Sequence, residues 1–474
     1  MKTNPAAGPW TLGPLPGAVA LALLALTPQW AAAQSNADIL NELNALKARI
    51  TELEKKLRQA EQAPATRGLT PEQQAEMNRV TVKTEALEDA RDAAGFKGLK
   101  ISGYMDPSFI YNKAQDRAGF QFLNRVNDDS YNYDNSYFGA AVIDFIKETD
   151  SGTRWRLTLA PNRGAGSVFD QISPIHEASV SMPLSDLQTR FIAGQLPDWS
   201  GYEYLQPTLN KLITHNMLFD FTLPTAYTGA GLDITRGKWI YKGLLANMNA
   251  SKKPQGNKSP AFAYRVDYAR GEFQGFGFAG VLGKAPNLRA DETDATTGAL
   301  LFPNDAGRDT ALGLFEFDAY FIRGDFTWQG QLSYGTQKKA AITPDPVSGE
   351  LRDATWAGLS TLVAYKFEPR LEGVVRLDYI QNKKNGGGLL GFGSLKGDGR
   401  NGIGAVPADR GGDPEVGANR TALSLGMNYL FNLNTTFKAE YRLDRANLAV
   451  FENVKDGTFR KSNQVLGASM VVSF

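Results

Sequence analysis

From Gly98 onward the chain alternates apolar and polar residues with a period of two. Over residues 435–447, Phe437, Ala439, Tyr441 and Leu443 fall on one side and Lys438, Glu440, Arg442 and Asp444 on the other. A two-residue rhythm is that of a β-strand with one apolar face. The same pattern sets Trp155, Leu157 and Leu159 against Arg154, Arg156 and Thr158. It sets Phe326, Trp328, Leu332 and Tyr334 against Thr327, Gln329, Gln331 and Ser333, and Phe315, Phe317 and Phe321 against Glu316 and Asp318. Sixteen such runs begin near residues 100, 136, 153, 175, 188, 226, 238, 261, 276, 309, 325, 355, 371, 420, 435 and 463. Glycines over 271–283 interrupt the rhythm and leave fourteen to eighteen as the bounds. Short turns such as Arg236-Gly237-Lys238 and Arg323-Gly324-Asp325 alternate with long polar loops, near 113–134, 161–174, 197–225, 250–260, 285–307, 338–353, 384–418 and 446–461.

A different period governs the first part of the chain. Ile39, Leu43, Leu46, Ile50, Leu53 and Leu57 are spaced 4, 3, 4, 3 and 4 apart, flanked by Glu42, Lys47, Arg49 and Glu52. That is a heptad seam, which predicts a coiled coil with those six residues as its core, a trimer being the expected order. A second helix is predicted from Thr70-Pro71-Glu72, an N-cap, a proline at the first helical position and an acid in the first turn, to a stop near Gly95. Ahead of both, Lys2, the apolar run of residues 18–26 and Ala31-Ala32-Ala33 have the order of a secretory signal. The expected divisions are residues 1–33 as signal peptide, 34–97 as periplasmic coiled coil and second helix, and 98–474 as barrel.

Composition narrows the fold class. The chain has 474 residues and no cysteine, with Lys+Arg 51 against Asp+Glu 50, so neither a disulfide-stapled fold nor a nucleic-acid partner is expected. After the signal no stretch is apolar enough for a spanning helix, yet 26 Phe, 17 Tyr and 48 Gly accompany the alternation. In lipid only helices and closed barrels satisfy their backbone. The predicted fold is therefore all-β, a transmembrane antiparallel barrel of about sixteen strands with outer-membrane lipids around it and the helices in the periplasm. The final strand, Gln464 to Phe474, carries Leu466, Ala468, Met470, Val472 and the terminal Phe474 on one face. It reads as an insertion signal for the barrel-assembly machinery of a Gram-negative outer membrane.

Chemistry-bearing motifs are few. There is no Gly-x-Ser-x-Gly elbow, phosphate loop or His/Glu metal pair, and His176 and His215 are read as ordinary polar residues. No enzyme, metal or cofactor is expected.

The stretch 191–231 resembles the OmpL-like β-barrel porin family. Ala193-Gly194-Gln195-Leu196, Gly201-Tyr202-Glu203, Pro207, Asn210, Ile213-Thr214-His215-Asn216, Leu218-Phe219, Pro224 and Tyr227-Thr228-Gly229 carry the likeness, with the opening Ile101-Ser102-Gly103-Tyr104-Met105-Asp106. Thr214-His215-Asn216 replaces the basic residue usual in that loop, so no selectivity is inherited. The order of coiled coil and barrel is also similar to DcaP-type trimeric porins. The resemblance implies a homotrimeric porin for small hydrophilic solutes, with a structural envelope tether or a surface adhesin built on a plugged barrel as the alternatives.

The expected constriction is the long loop 197–225. Its patch Met217-Leu218-Phe219-Asp220-Phe221 is too apolar for water and should turn inward, bringing Glu203, Lys211, His215 and Asp220 into the lumen. Wall residues expected to face that lumen are Arg154, Arg156, Arg190, Lys238, Lys242, Arg376, Lys438 and Arg442, with Arg265 beside them. The clustering of Arg in the early strands leans weakly towards anions or small organic acids.

Overall fold

The computed structural model describes residues 71–474 apart from 94, 123–137, 162–172, 288, 291–292, 295, 391–403 and 407–409. The predicted signal peptide and the heptad seam Ile39–Leu57 lie outside the described residues. The chain divides into two compact units, residues 1–91 and 92–474. Helix α1 (Pro71–Ala93), all but its last two residues in the first unit, carries Glu72 in its first turn and an Arg79–Glu76 ion pair of 2.6 Å. Gly95, at φ +84°, donates to the Asp92 carbonyl just past the helix end, the left-handed stop predicted there. Among the described residues no helix is long and apolar enough to cross a membrane.

The second unit is built from β1 (Leu99–Met105), β2 (Ser108–Asn112), β3 (Arg117–Gln121), β4 (Ala141–Glu148), β5 (Arg154–Leu159), β6 (Ile175–Asp186), β7 (Thr189–Pro197), β8 (Ala226–Arg236), β9 (Trp239–Met248), β10 (Ala261–Gly271), β11 (Gln274–Ala285), β12 (Thr310–Arg323), β13 (Phe326–Gln337), β14 (Ala354–Glu368), β15 (Leu371–Gln381), β16 (Arg420–Asn432), β17 (Thr435–Ala446), β18 (Phe451–Asn453), β19 (Thr458–Arg460) and β20 (Ser462–Ser473). All but β18 and β19 join one antiparallel sheet. β1 and β2 are halves of one wall strand, interrupted at Asp106-Pro107, where proline removes a ladder donor. β3 and β4 are halves of the next, pairing with β2 and β1 respectively. Counted so, the wall has sixteen strands. It closes because β20 pairs with β17 on one side and with β1 and β2 on the other.

The short connections gather at one end. Gly237-Lys238 and Gly324-Asp325 are two-residue loops joining Arg236 to Trp239 and Arg323 to Phe326. Gly237 and Gly324 stand at φ +60° and +57°, the positive values that tight hairpin turns demand. Two long loops are more ordered than the alternation suggests. β3 occupies part of the stretch expected as loop 113–134, held by an edge contact of the Phe109 and Phe120 rings at 5.3 Å, so β4 starts at Ala141 rather than near 136. The expected loop 446–461 contains the β18–β19 hairpin.

The pleat sorts the residues as the alternation predicts. Trp155, Tyr334, Phe437 and Tyr441 are exposed on the outer face, whereas Arg442 and Asp444 are fully buried within. The barrel is apolar outside and charged inside, the reverse of a soluble sandwich and the arrangement expected of a wall that faces lipid.

Candidate functional site

The connection between β7 and β8 does not run over the barrel's rim. Residues 198–225 turn into the lumen, where helix α2 (Met217–Phe221) buries Met217, Leu218 and Phe221. Asn216 caps α2, its side chain accepting from the Phe219 amide at 2.8 Å. The loop is fastened to the wall strands β14 to β17. Tyr202 Oη lies 2.6 Å from Ser360 Oγ, Lys211 Nζ donates to Glu372 at 2.6 Å, and the amides of Ile213 and Thr214 donate to Glu440 Oε2 at 2.8 and 2.7 Å. Arg376 donates to Glu203 Oε1 at 2.8 Å and to the carbonyls of Thr214 and His215 at 2.7 and 2.9 Å. Arg442 reaches the His215 carbonyl at 2.8 Å, and Lys438 the carbonyls of Pro207 and Asn210 at 2.6 Å.

Fastening the loop to one wall leaves space along the other. A cavity of about 770 Å3 opens there, lined by Arg156, His176, Glu177, Lys242, Arg265, Asp267 and Asp318 from the wall and by Asp198, Trp199, Tyr204, Phe219 and Asp220 from the loop. The register explains the cations. Arg190, Asp233, Lys242 and Arg265 are consecutive partners across β7, β8, β9 and β10. Arg156 bonds Asp144 at 2.9 Å and pairs with Glu177 at 3.2 Å. Arg265 takes Asp318 at 2.9 Å and the Trp199 carbonyl at 2.6 Å, tying the loop to this wall as well. Asp198 accepts from Tyr227 Oη at 2.6 Å and from the Ser200 amide at 2.9 Å. Burial pushes its carboxyl above the usual carboxylate range, while those bonds pull it down.

The predicted residues thus fall in three places. Arg156, Lys242, Glu203 and Asp220 line the cavity. Arg376, Lys438, Arg442, Lys211 and His215 lie where the loop meets the wall, with Arg376 and Arg442 fully buried. Arg154, Arg190 and Lys238 stand towards the short-turn end: Arg154 pairs with Glu148 at 3.1 Å, Arg190 bonds Ser181 Oγ and the Gly152 carbonyl, and Lys238 lies in its turn. Trp199 is among the aromatic residues that mark the loop in the sequence, but no role was foreseen for it or for Asp198. Nothing in the local pattern distinguishes them, because their roles come from wall residues dozens of positions away.

Known structures with the same fold cover 79% of this chain. An anion-selective porin from Comamonas acidovorans matches at 10% identity and TM-score 0.50 over 99% of its own chain. OmpT, an outer-membrane protein of Vibrio cholerae, matches at 10% identity and TM-score 0.49 over 97% of its chain, and Salmonella typhi OmpF in complex with daunomycin at 13% identity and 0.48 over 97%. At such identity the first likeness establishes a porin-like barrel and no more. No curated protein matches the sequence. A family match does span residues 65–474, and by it the chain belongs to DUF3138, a family described as protein of unknown function.

Proposed function

We propose that this chain is a passive porin of a Gram-negative outer membrane, admitting small hydrophilic solutes and working as a homotrimer with its N-terminal helices in the periplasm. One observation carries the reading: a loop folded into a sixteen-strand barrel and fastened to one wall, leaving a charged cavity along the other. A lumen narrowed this way brings solutes within short range of fixed charges, where selectivity arises. The resemblance of residues 191–231 to OmpL-like porins supports it, since those residues build the inward loop. The weak lean to anions rests on Arg156, Lys242 and Arg265 standing along the cavity. Purified protein in planar bilayers should give stepwise conductance in groups of three. A membrane that stays sealed at high protein load would remove the reading.

A plugged barrel acting as an envelope tether or adhesin is the second reading, and a specific observation favours it. Leu244, Met248, Val281, Leu312, Trp356 and Ile380 of the wall join Met217, Leu218 and Phe221 of the loop and Leu389, Leu390 and Phe451 of the other loops in one buried apolar cluster. The conductance measurement separates the two readings.

A further inference from the structure

Carboxylates outnumber cations along the cavity, yet they already serve as acceptors within the protein. Glu177 takes Arg156 and Ser179, Asp267 and Asp318 take Arg265, and Asp198 takes Tyr227 and Ser200. The unused hydrogen-bonding capacity lies with nitrogens. His176, 4% exposed, and Trp199 both line the cavity, and neither His176 Nδ1 nor Trp199 Nε1 has a hydrogen-bond partner among the described residues. Lys242 Nζ stands 3.8 Å from Asp233, beyond hydrogen-bond range, and 5.8 Å from the centre of the Trp199 ring. An indole N–H and an ammonium can only donate, so this corner calls for acceptor oxygens from outside the chain. A buried donor left unmatched is costly, and Trp199 is held in place by Arg265 at its carbonyl and by the Tyr227 ring at 5.3 Å.

We propose that this corner binds the carboxylate of a small organic acid with a flat apolar body. The carboxylate takes hydrogen bonds from Lys242 Nζ, which stands over the Trp199 ring, and from Trp199 Nε1 once the indole turns its buried edge towards the cavity. The rings of Tyr204, Phe219 and Tyr320, which line the same cavity, offer the flat body its contact. The inference deepens the porin reading by naming the solute class, and rests on that reading for the route by which solute arrives.

Binding is measured calorimetrically on the full chain in detergent, using benzoate, with benzylamine as the probe of like shape and opposite charge. Benzoate should bind saturably and benzylamine at least tenfold more weakly. Lys242→Gln should weaken benzoate at least tenfold, and Trp199→Phe, which keeps the ring and removes the N–H, several-fold. Lys338→Gln on the surface should change nothing, and each variant's far-UV circular dichroism should match wild type. Benzylamine binding as tightly as benzoate, absent benzoate binding, or a Lys242→Gln protein that binds benzoate normally would overturn the assignment. Benzoate binding in a protein that passes no current would sink the pore alone.

Discussion

Arg376 shows how a charge buried in the lumen can be structural. Its guanidinium meets Glu203 at 2.8 Å, Asp378 at 3.1 Å and Glu440 at 3.9 Å, and it is fully buried. Removing a buried cation from its carboxylates costs about 3–5 kcal/mol, because the acids remain without compensation. Arg376→Ala should therefore release the loop while the barrel stays closed, seen as faster tryptic cleavage after Lys211 in folded protein. Arg376→Lys should cleave at an intermediate rate, since one ammonium cannot replace a five-donor fork. Arg156 and Lys211 should behave differently from each other. Arg156 faces the cavity, so Arg156→Ala should shift the reversal potential across a salt gradient towards cations. Lys211 is pinned to Glu372 where the loop meets the wall and does not line the cavity, so Lys211→Ala should shift it less. Alternation placed Arg156 and Arg376 on the inner side of the wall. It could not distinguish Arg156 from Arg376, because the difference lies in a loop residue, Glu203, 173 positions from Arg376.

The loop is held by shape as well as by charge. A Cβ on Gly358 would stand 2.1 Å from Leu218 Cδ2, and one on Gly426 would stand 2.2 Å from Leu212 Cδ2. Two wall glycines thus form notches that receive two loop leucines, and neither glycine has a positive φ to account for it otherwise. Gly358→Val should push Leu218 out at a cost of about 1–3 kcal/mol, the usual range for overpacking. In single-channel recordings that variant should show a larger or noisier conductance, and Gly271→Val, at the end of β10 with open space around it and no positive φ, should not. The apolar patch Met217–Phe221 was legible as a segment unfit for water. The glycines that receive the loop were not, since a glycine within a strand only reads as a weak position.

At the scale of the whole molecule the strand rhythm carried the fold. Even the Gly-rich β10–β11 pair, where the pattern is faintest, falls in register with its neighbours. What one chain's pattern leaves open is the medium on either side of the wall, and adjacent residues of β17 decide that. Tyr441 is 39% exposed on the outer face and Arg442 is fully buried within. If the outer face met water, Tyr441→Arg would be a surface substitution, worth about ±0.5 kcal/mol. If it meets hydrocarbon, a charge near the bilayer midplane costs about 2–4 kcal/mol and falls to about 0–1 near the interfaces. Tyr441 lies midway along β17, whereas Asn434 lies in the turn before it. Guanidinium unfolding in lipid vesicles should therefore show a marked loss of stability for Tyr441→Arg and almost none for Asn434→Arg. Equal small losses at both positions would mean that the outer face is wet, and no membrane role for the barrel would survive that result.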